Sequence, residues 1–133
     1  MRMSATRRKV LPGSLIALAV IMMTAAPTAR ADAFGSVHYD PKNDQIIVTV
    51  IYHGTNPNHH FSIQWGRCHR LHDHLQGPAR KIINLGILDN QGNDAAIKRY
   101  TKIVRVSLAG VTCRPATVTL WMPPHQYTRL DIP

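Results

Sequence analysis

Histidine dominates the chemistry available to this chain. The 133 residues include eight histidines, and five of them lie in one short segment: His59, His60, His69, His72 and His74. In an extended segment His72 and His74 project from one face, so that two imidazoles could share a metal ion. Neutral imidazole suits zinc, copper(II) and nickel. The spacing predicts a zinc or copper site on His69, His72 and His74, joined by His59 and His60 if the two segments fold back on each other.

The same segment supports two other interpretations. Protonation of the histidines as the pH falls past roughly 6 to 7 would add positive charge beside Arg67 and Arg70 and strengthen contact with an acidic surface. Alternatively, residues 59–74 form an exposed polar loop that binds metal only weakly. The sequence does not choose among a metal site, a pH-dependent contact and a solvated loop.

Catalysis has little support in the sequence. Glutamate is absent, so paired carboxylates must come from seven aspartates. Beyond residue 31 the serines are Ser36, Ser62 and Ser107, none of them in a Gly-x-Ser-x-Gly nucleophile motif. A histidine base without a nucleophile or a metal is incomplete. A metal-assisted hydrolase acting through the histidine segment is therefore the third hypothesis, after a binding domain and a metal-binding protein.

The first 31 residues have the pattern of an export signal. A basic start with Arg7 and Arg8 precedes the apolar run 11–23, and Ala29 and Ala31 occupy the −3 and −1 positions of a cut before Asp32. The run is shorter than the roughly twenty residues of a membrane-spanning helix. We expect a cleaved signal peptide at 1–31, a mature domain at 32–133 and a periplasmic or secreted location. Residues 6–11 resemble the twin-arginine motif, which implies export in the folded state.

Removal of the leader changes the net charge. The leader holds five of the sixteen basic residues and none of the seven acidic ones, so the formal charge falls from +9 to +4. A charge of this size is ordinary for a soluble domain. It gives no specific signal for nucleic acid.

Both cysteines, Cys68 and Cys113, belong to the mature part. An even cysteine count in an oxidising compartment predicts one disulfide bond. The bond would close a loop of 45 residues. It would consume both thiols.

Apolar patterns predict strands throughout residues 32–133: most segments alternate, whereas 45–52 is rich in β-branched residues and has both faces partly apolar, as in a central strand. The candidate strands are 36–40, 45–52, 61–65, 82–88, 103–108, 116–122 and 127–132, separated by turn residues. Six to seven short strands with this spacing indicate an all-β domain, a small antiparallel β-sandwich. One short helical turn is expected at 94–100, capped by Asp94.

Gly66 interrupts the alternation between Trp65 and Cys68, which predicts a β-bulge that turns Cys68 back toward the core. Trp65 could then pack against the Cys68–Cys113 bond. This arrangement resembles the architecture of immunoglobulin-like domains, although their tryptophan and cysteines lie on different strands. It is a likeness of architecture, without a family assignment.

Together these patterns predict an exported, non-catalytic domain that binds an unidentified protein or glycan. The expected contact surface is segment 59–74 with its neighbouring loops, including Arg67 and Arg70. Trp121, on the strand face opposite Val118 and Leu120, is a further contact candidate if it is exposed.

Overall fold

The computed structural model describes residues 31–71, 79–91 and 94–133. These contain seven strands: β1 (Ala31–Asp40), β2 (Gln45–Gly54), β3 (Phe61–Leu71), β4 (Arg80–Asp89), β5 (Lys98–Ser107), β6 (Ala116–Met122) and β7 (Gln126–Ile132). The predicted all-β fold is confirmed. Apart from Ala31, the predicted leader lies outside the described residues, as do His72 and His74. In the described ranges no helix has the length and hydropathy to span a membrane.

The strands form two sheets, ordered β1-β2-β5 and β3-β4-β6-β7. All neighbouring strands are antiparallel except β4 and β6, which are parallel. This pair is the one difference from the antiparallel sandwich that the sequence predicts. The parallel pair arises because β5, which lies between β4 and β6 in the sequence, belongs to the other sheet. The chain runs back along that sheet in β5, so β6 has the same direction as β4.

One hydrophobic core lies between the sheets. In β2, side chains at alternate positions are buried, from Ile46 to Tyr52, and β6 contributes Val118 and Leu120 from the opposite sheet. As the alternation predicts, Val104 is also buried. Because successive side chains of a strand point to opposite faces, the remaining positions of each strand form the outer face of its sheet.

The predicted bulge in β3 is confirmed. The pairing of β3 with β4 shifts register between Trp65 and Cys68, at Gly66. Cys68, which the bulge was expected to turn toward the core, is exposed, and its bond to the buried Cys113 joins β3 to the connection between β5 and β6. Trp65 and both cysteines line one cavity of about 330 Å³.

The expected helical turn at 94–100 is wrong. β5 already begins at Lys98, which pairs with Gly54, the last residue of β2. Asp94 accepts hydrogen bonds from Thr55 and from the backbone of Ala95 instead of capping a helix. A single helical turn is costly to nucleate, whereas pairing along the whole of β2 satisfies the backbone of β5.

Candidate functional site

The histidines of segment 59–74 have different environments. His59 is completely buried, while His60 and His69 are exposed, His69 on β3. No three His, Cys, Asp or Glu side chains in the described part of the chain are grouped so that they could hold a metal ion. His72 and His74 lie outside that part. The zinc or copper site on His69, His72 and His74 therefore stays a prediction.

His59 lies between two aspartates. Its Nδ1 atom is 2.6 Å from Oδ2 of Asp89, and its Nε2 atom is 3.0 Å from Oδ2 of Asp94. We call these three residues the buried ion-pair cluster. With both ring nitrogens hydrogen bonded to carboxylates, His59 has no nitrogen available to a metal ion in this arrangement.

The cluster favours the charged form of His59. Burial of the ring lowers the pKa of His59, but the hydrogen bonds and negative charges of Asp89 and Asp94 outweigh it, so the net pKa is raised. The pKa of Asp94 is far below its usual range because the carboxylate accepts hydrogen bonds from the Thr55 hydroxyl, from His59 and from the Thr55 amide. Ionised carboxylates only accept hydrogen bonds, so with Asp89 and Asp94 ionised both ring nitrogens of His59 act as donors.

Close packing of β2 against His59 holds the cluster in place. A Cβ atom at Gly54 would lie 2.5 Å from Nε2 of His59 and 2.8 Å from Oδ2 of Asp94, so this position requires glycine. The Tyr52 ring is 4.7 Å from the imidazole, and its hydroxyl donates to the carbonyl of Pro57. A fully buried imidazole cannot touch a substrate, so we assign the cluster a structural role.

A second ion pair lies at the opposite end of the sandwich. The Arg114 guanidinium donates two 2.8 Å hydrogen bonds to the two carboxylate oxygens of Asp44, and its Nε donates to the carbonyl of Pro133. Tyr39 also donates to Asp44. The hydrogen bonds from Arg114 and Tyr39 hold the pKa of Asp44 below its usual range. This ion pair links the β1–β2 turn to the segment before β6.

The outer face of the four-stranded sheet carries a different arrangement. Gln64 of β3 is paired with Gly86 of β4, Gly86 with Trp121 of β6, and Trp121 with Tyr127 of β7. These four residues form one row across the whole sheet, which we call the aromatic row. Gln64 is exposed and Tyr127 is 66% exposed, whereas Trp121 is half-buried.

Trp121 rests on Gly86. A Cβ atom at Gly86 would lie 2.8 Å from Cζ2 and 2.9 Å from Cε2 of the indole, so the missing side chain makes room for the ring. Glycine inside a strand often marks such a close approach. The indole consequently lies over β4 on the outer face of the sheet, and the residue paired with Trp121 on β7 is the more exposed Tyr127.

A second row runs beside the first. Asn84 of β4 is paired with Thr119 of β6, and Thr119 with Arg129 of β7. We call these residues the polar row; Asn84 and Arg129 are exposed. Neither row contains a carboxylate, and Arg129 is the one charged side chain in them.

The predicted contact residues belong to this sheet. Arg67 and Arg70 are exposed on β3, an edge strand, and Trp121 lies in the aromatic row. The arginines follow Gln64 along β3. Trp121 and the two arginines are thus positioned by one sheet, with Trp121 near its middle and the arginines at its edge.

No protein-family model, no curated protein and no solved structure matches this chain.

Sequence reasoning missed several residues of these sites. Asp89 and Asp94 are 30 and 35 positions from His59, and no spacing rule connects them. Tyr127 and Gln64 each had a usable signal, because alternation in their strands places both opposite the core. The sequence alone does not show the strand pairing that places Tyr127 and Gln64 in one row with Trp121.

Proposed function

We propose that this chain is an exported, non-catalytic binding domain whose ligand contacts the outer face of the β3-β4-β6-β7 sheet. The proposed location is the periplasm or the cell exterior, on the basis of the leader pattern. The observation that carries the proposal is the aromatic row, in which the half-buried Trp121 and the 66% exposed Tyr127 are directly opposed on neighbouring strands.

Two opposed aromatic residues on an outer sheet face support a contact role. Tryptophan and tyrosine are enriched among the residues that carry most binding energy. They bury a large apolar area and keep a polar group for hydrogen bonding. Trp121 is also held by Gly86, so little ordering is needed when a ligand binds.

The environments of the cysteine, histidine and aspartate side chains support a non-catalytic role. Both cysteines are in the disulfide, and His59 is inaccessible. Asp44 and Asp94 each accept several hydrogen bonds within the fold. These groups serve the stability of the domain, and none of them is arranged beside a nucleophile at the surface.

The test is site-specific photocrosslinking in the exporting cell. A photoreactive p-benzoylphenylalanine replaces Tyr127 in the full chain, and a matched strain carries it at Ile103, which is 55% exposed on the outer face of the other sheet. We expect a light-dependent adduct from position 127 that is weakened by Trp121→Ala, and little adduct from position 103. Equal adducts from both positions, or none from 127, would contradict the proposal.

A further inference from the structure

We propose that the aromatic row binds a neutral glycan chain of pyranose sugars. This inference rests on the proposed function and names its ligand class. Gln64, Trp121 and Tyr127 lie beside the polar row only because strand pairing brings four strands together.

The aromatic rings match the apolar faces of sugars. A pyranose ring presents C–H groups on its faces and hydroxyl groups around its edge, so it stacks on a flat aromatic ring and hydrogen bonds sideways. Directly opposed residues on antiparallel strands have Cβ atoms roughly 4.5–5.5 Å apart. Trp121 and Tyr127 are such a pair; the indole lies over Gly86 of β4 and Tyr127 lies on β7, so the two rings offer separate stacking faces to different units of one sugar chain.

The side chains around these rings match the hydroxyl groups. Gln64 lies at one end of the aromatic row, and Asn84 and Thr119 lie alongside it. Amides and hydroxyls both donate and accept hydrogen bonds, as sugar hydroxyls require. Neither row contains a carboxylate or a lysine, which favours neutral sugars over charged ones. Arg129, the one charged side chain in the two rows, lies on β7 at the edge of the sheet.

The shape of the surface favours the interior of a chain. The aromatic row crosses all four strands of the sheet, and the polar row crosses β4, β6 and β7, both on the outer face. A flat surface of this kind contacts a polymer along its length and does not select a chain end. We therefore expect binding of longer oligosaccharides and little binding of monosaccharides.

Trp121 can report binding directly. The chain has two tryptophans, so Trp65→Phe leaves Trp121 as the only indole. The folded mature domain is titrated with a glucose hexamer (cellohexaose), a hexamer of N-acetylglucosamine and free glucose. We expect a saturable change in Trp121 emission with at least one hexamer, no saturation with glucose, and at least a tenfold loss of affinity in Tyr127→Ala.

Gel electrophoresis through immobilised polysaccharide provides a measurement without the Trp65 change. The wild-type domain, Tyr127→Ala, Gln64→Ala and the control Ile103→Ala are run with and without hydroxyethyl cellulose or glycol chitin in the gel. We expect retardation of the wild type and of Ile103→Ala, and weaker retardation of the other two variants. Tyr127 is largely exposed, so its removal should leave the domain folded.

Three results would overturn the glycan assignment: no response to any of these glycans, equal retardation of all variants, or binding only to an acidic polysaccharide that is lost in Arg129→Ala. The crosslinking experiment separates this failure from that of the proposed function. A Trp121-dependent protein adduct at position 127 would leave the binding role intact and replace the ligand class. Absence of any adduct from position 127 would contradict the proposed function, and with it the glycan assignment that rests on it.

Discussion

The Nε2 atom of His59 and the Oδ2 atom of Asp94 are 3.0 Å apart, although the residues are separated by 35 positions. The bond joins the segment between β2 and β3 to the segment before β5. Asp89, at the end of β4, holds the other nitrogen of the same ring. The buried ion-pair cluster therefore connects both sheets at one end of the sandwich.

Replacement of His59 should destabilise the domain strongly. His59→Ala leaves Asp89 and Asp94 facing each other without their cation, and breaking a buried ion pair from one side costs about 3–5 kcal/mol. Urea unfolding of the mature domain measures the loss. The neighbouring exposed residue provides the control, since His60→Ala should change the unfolding free energy by less than about 0.5 kcal/mol. Similar values for both variants would contradict the structural role of His59.

Stability should fall at alkaline pH because of His59. Its pKa is raised above the ordinary value of 6.5, so its stabilising contribution is complete below that value and is lost as the pH rises through the folded-state pKa. Urea unfolding at about pH 5.5 and about pH 8.5 should show the decline in wild type. His59→Ala should show a smaller decline in stability. An equal decline in both proteins would mean that other groups cause it.

Acidification should act through Asp94. Its pKa is lowered from the ordinary 3.8, so its contribution is present above that value and disappears as the pH falls toward the folded-state pKa. At about pH 5 to 6 the Asp94→Asn variant should be less stable than the wild type. The difference in stability between the two proteins should shrink as the pH falls below about 4. The measurement is a series of thermal melts. A constant difference between the proteins across the series would be inconsistent with this linkage.

Reduction of the disulfide should lower stability by up to about 4 kcal/mol, because the Cys68–Cys113 bond closes a loop of 45 residues in the unfolded chain. The comparison is between the oxidised domain and Cys68→Ser/Cys113→Ser in urea. The control is Ser62→Ala, a small substitution on the same strand that leaves the disulfide intact. A loss below about 1 kcal/mol would mean that the bond adds little to the closed sandwich.

Substitution of Gly86 should disturb the aromatic row without unfolding the domain. In Gly86→Ala the new Cβ would lie 2.8 Å from Cζ2 of Trp121, so the indole must move. In the Trp65→Phe background we expect a red shift of Trp121 emission and weaker glycan binding. Gly35→Ala is the matched control, because its new Cβ would contact Thr49 within the three-stranded sheet, which does not contain Trp121. An unchanged emission spectrum in Gly86→Ala would contradict the contact described here.

Local patterns were sufficient for much of the fold. Alternation from Val118 to Met122 predicted which side chains of β6 are buried, the β-branched run 45–52 predicted a central strand, and the interruption at Gly66 predicted the bulge. The cysteine count predicted the disulfide. These features depend on neighbours along the chain, since a strand presents alternate side chains to opposite faces whatever its partners are.

The turn before β5 shows where local patterns failed. Asp94 followed by residues compatible with a helix reads as an N-cap, yet its carboxylate is occupied by Thr55 and His59. Both partners come from another segment of the chain. The competing hydrogen bonds are invisible in residues 94–100 alone.

The sequence by itself determined that the domain is built of seven strand segments, which side of β6 is buried, and the cysteine pair. Only the tertiary structure decided that His59 is a buried cation between Asp89 and Asp94, and that Trp121 lies between Gly86 and Tyr127. The physical reason is that side-chain alternation is a property of one strand, whereas the neighbours of a residue across a sheet depend on the order and register of strands distant in sequence.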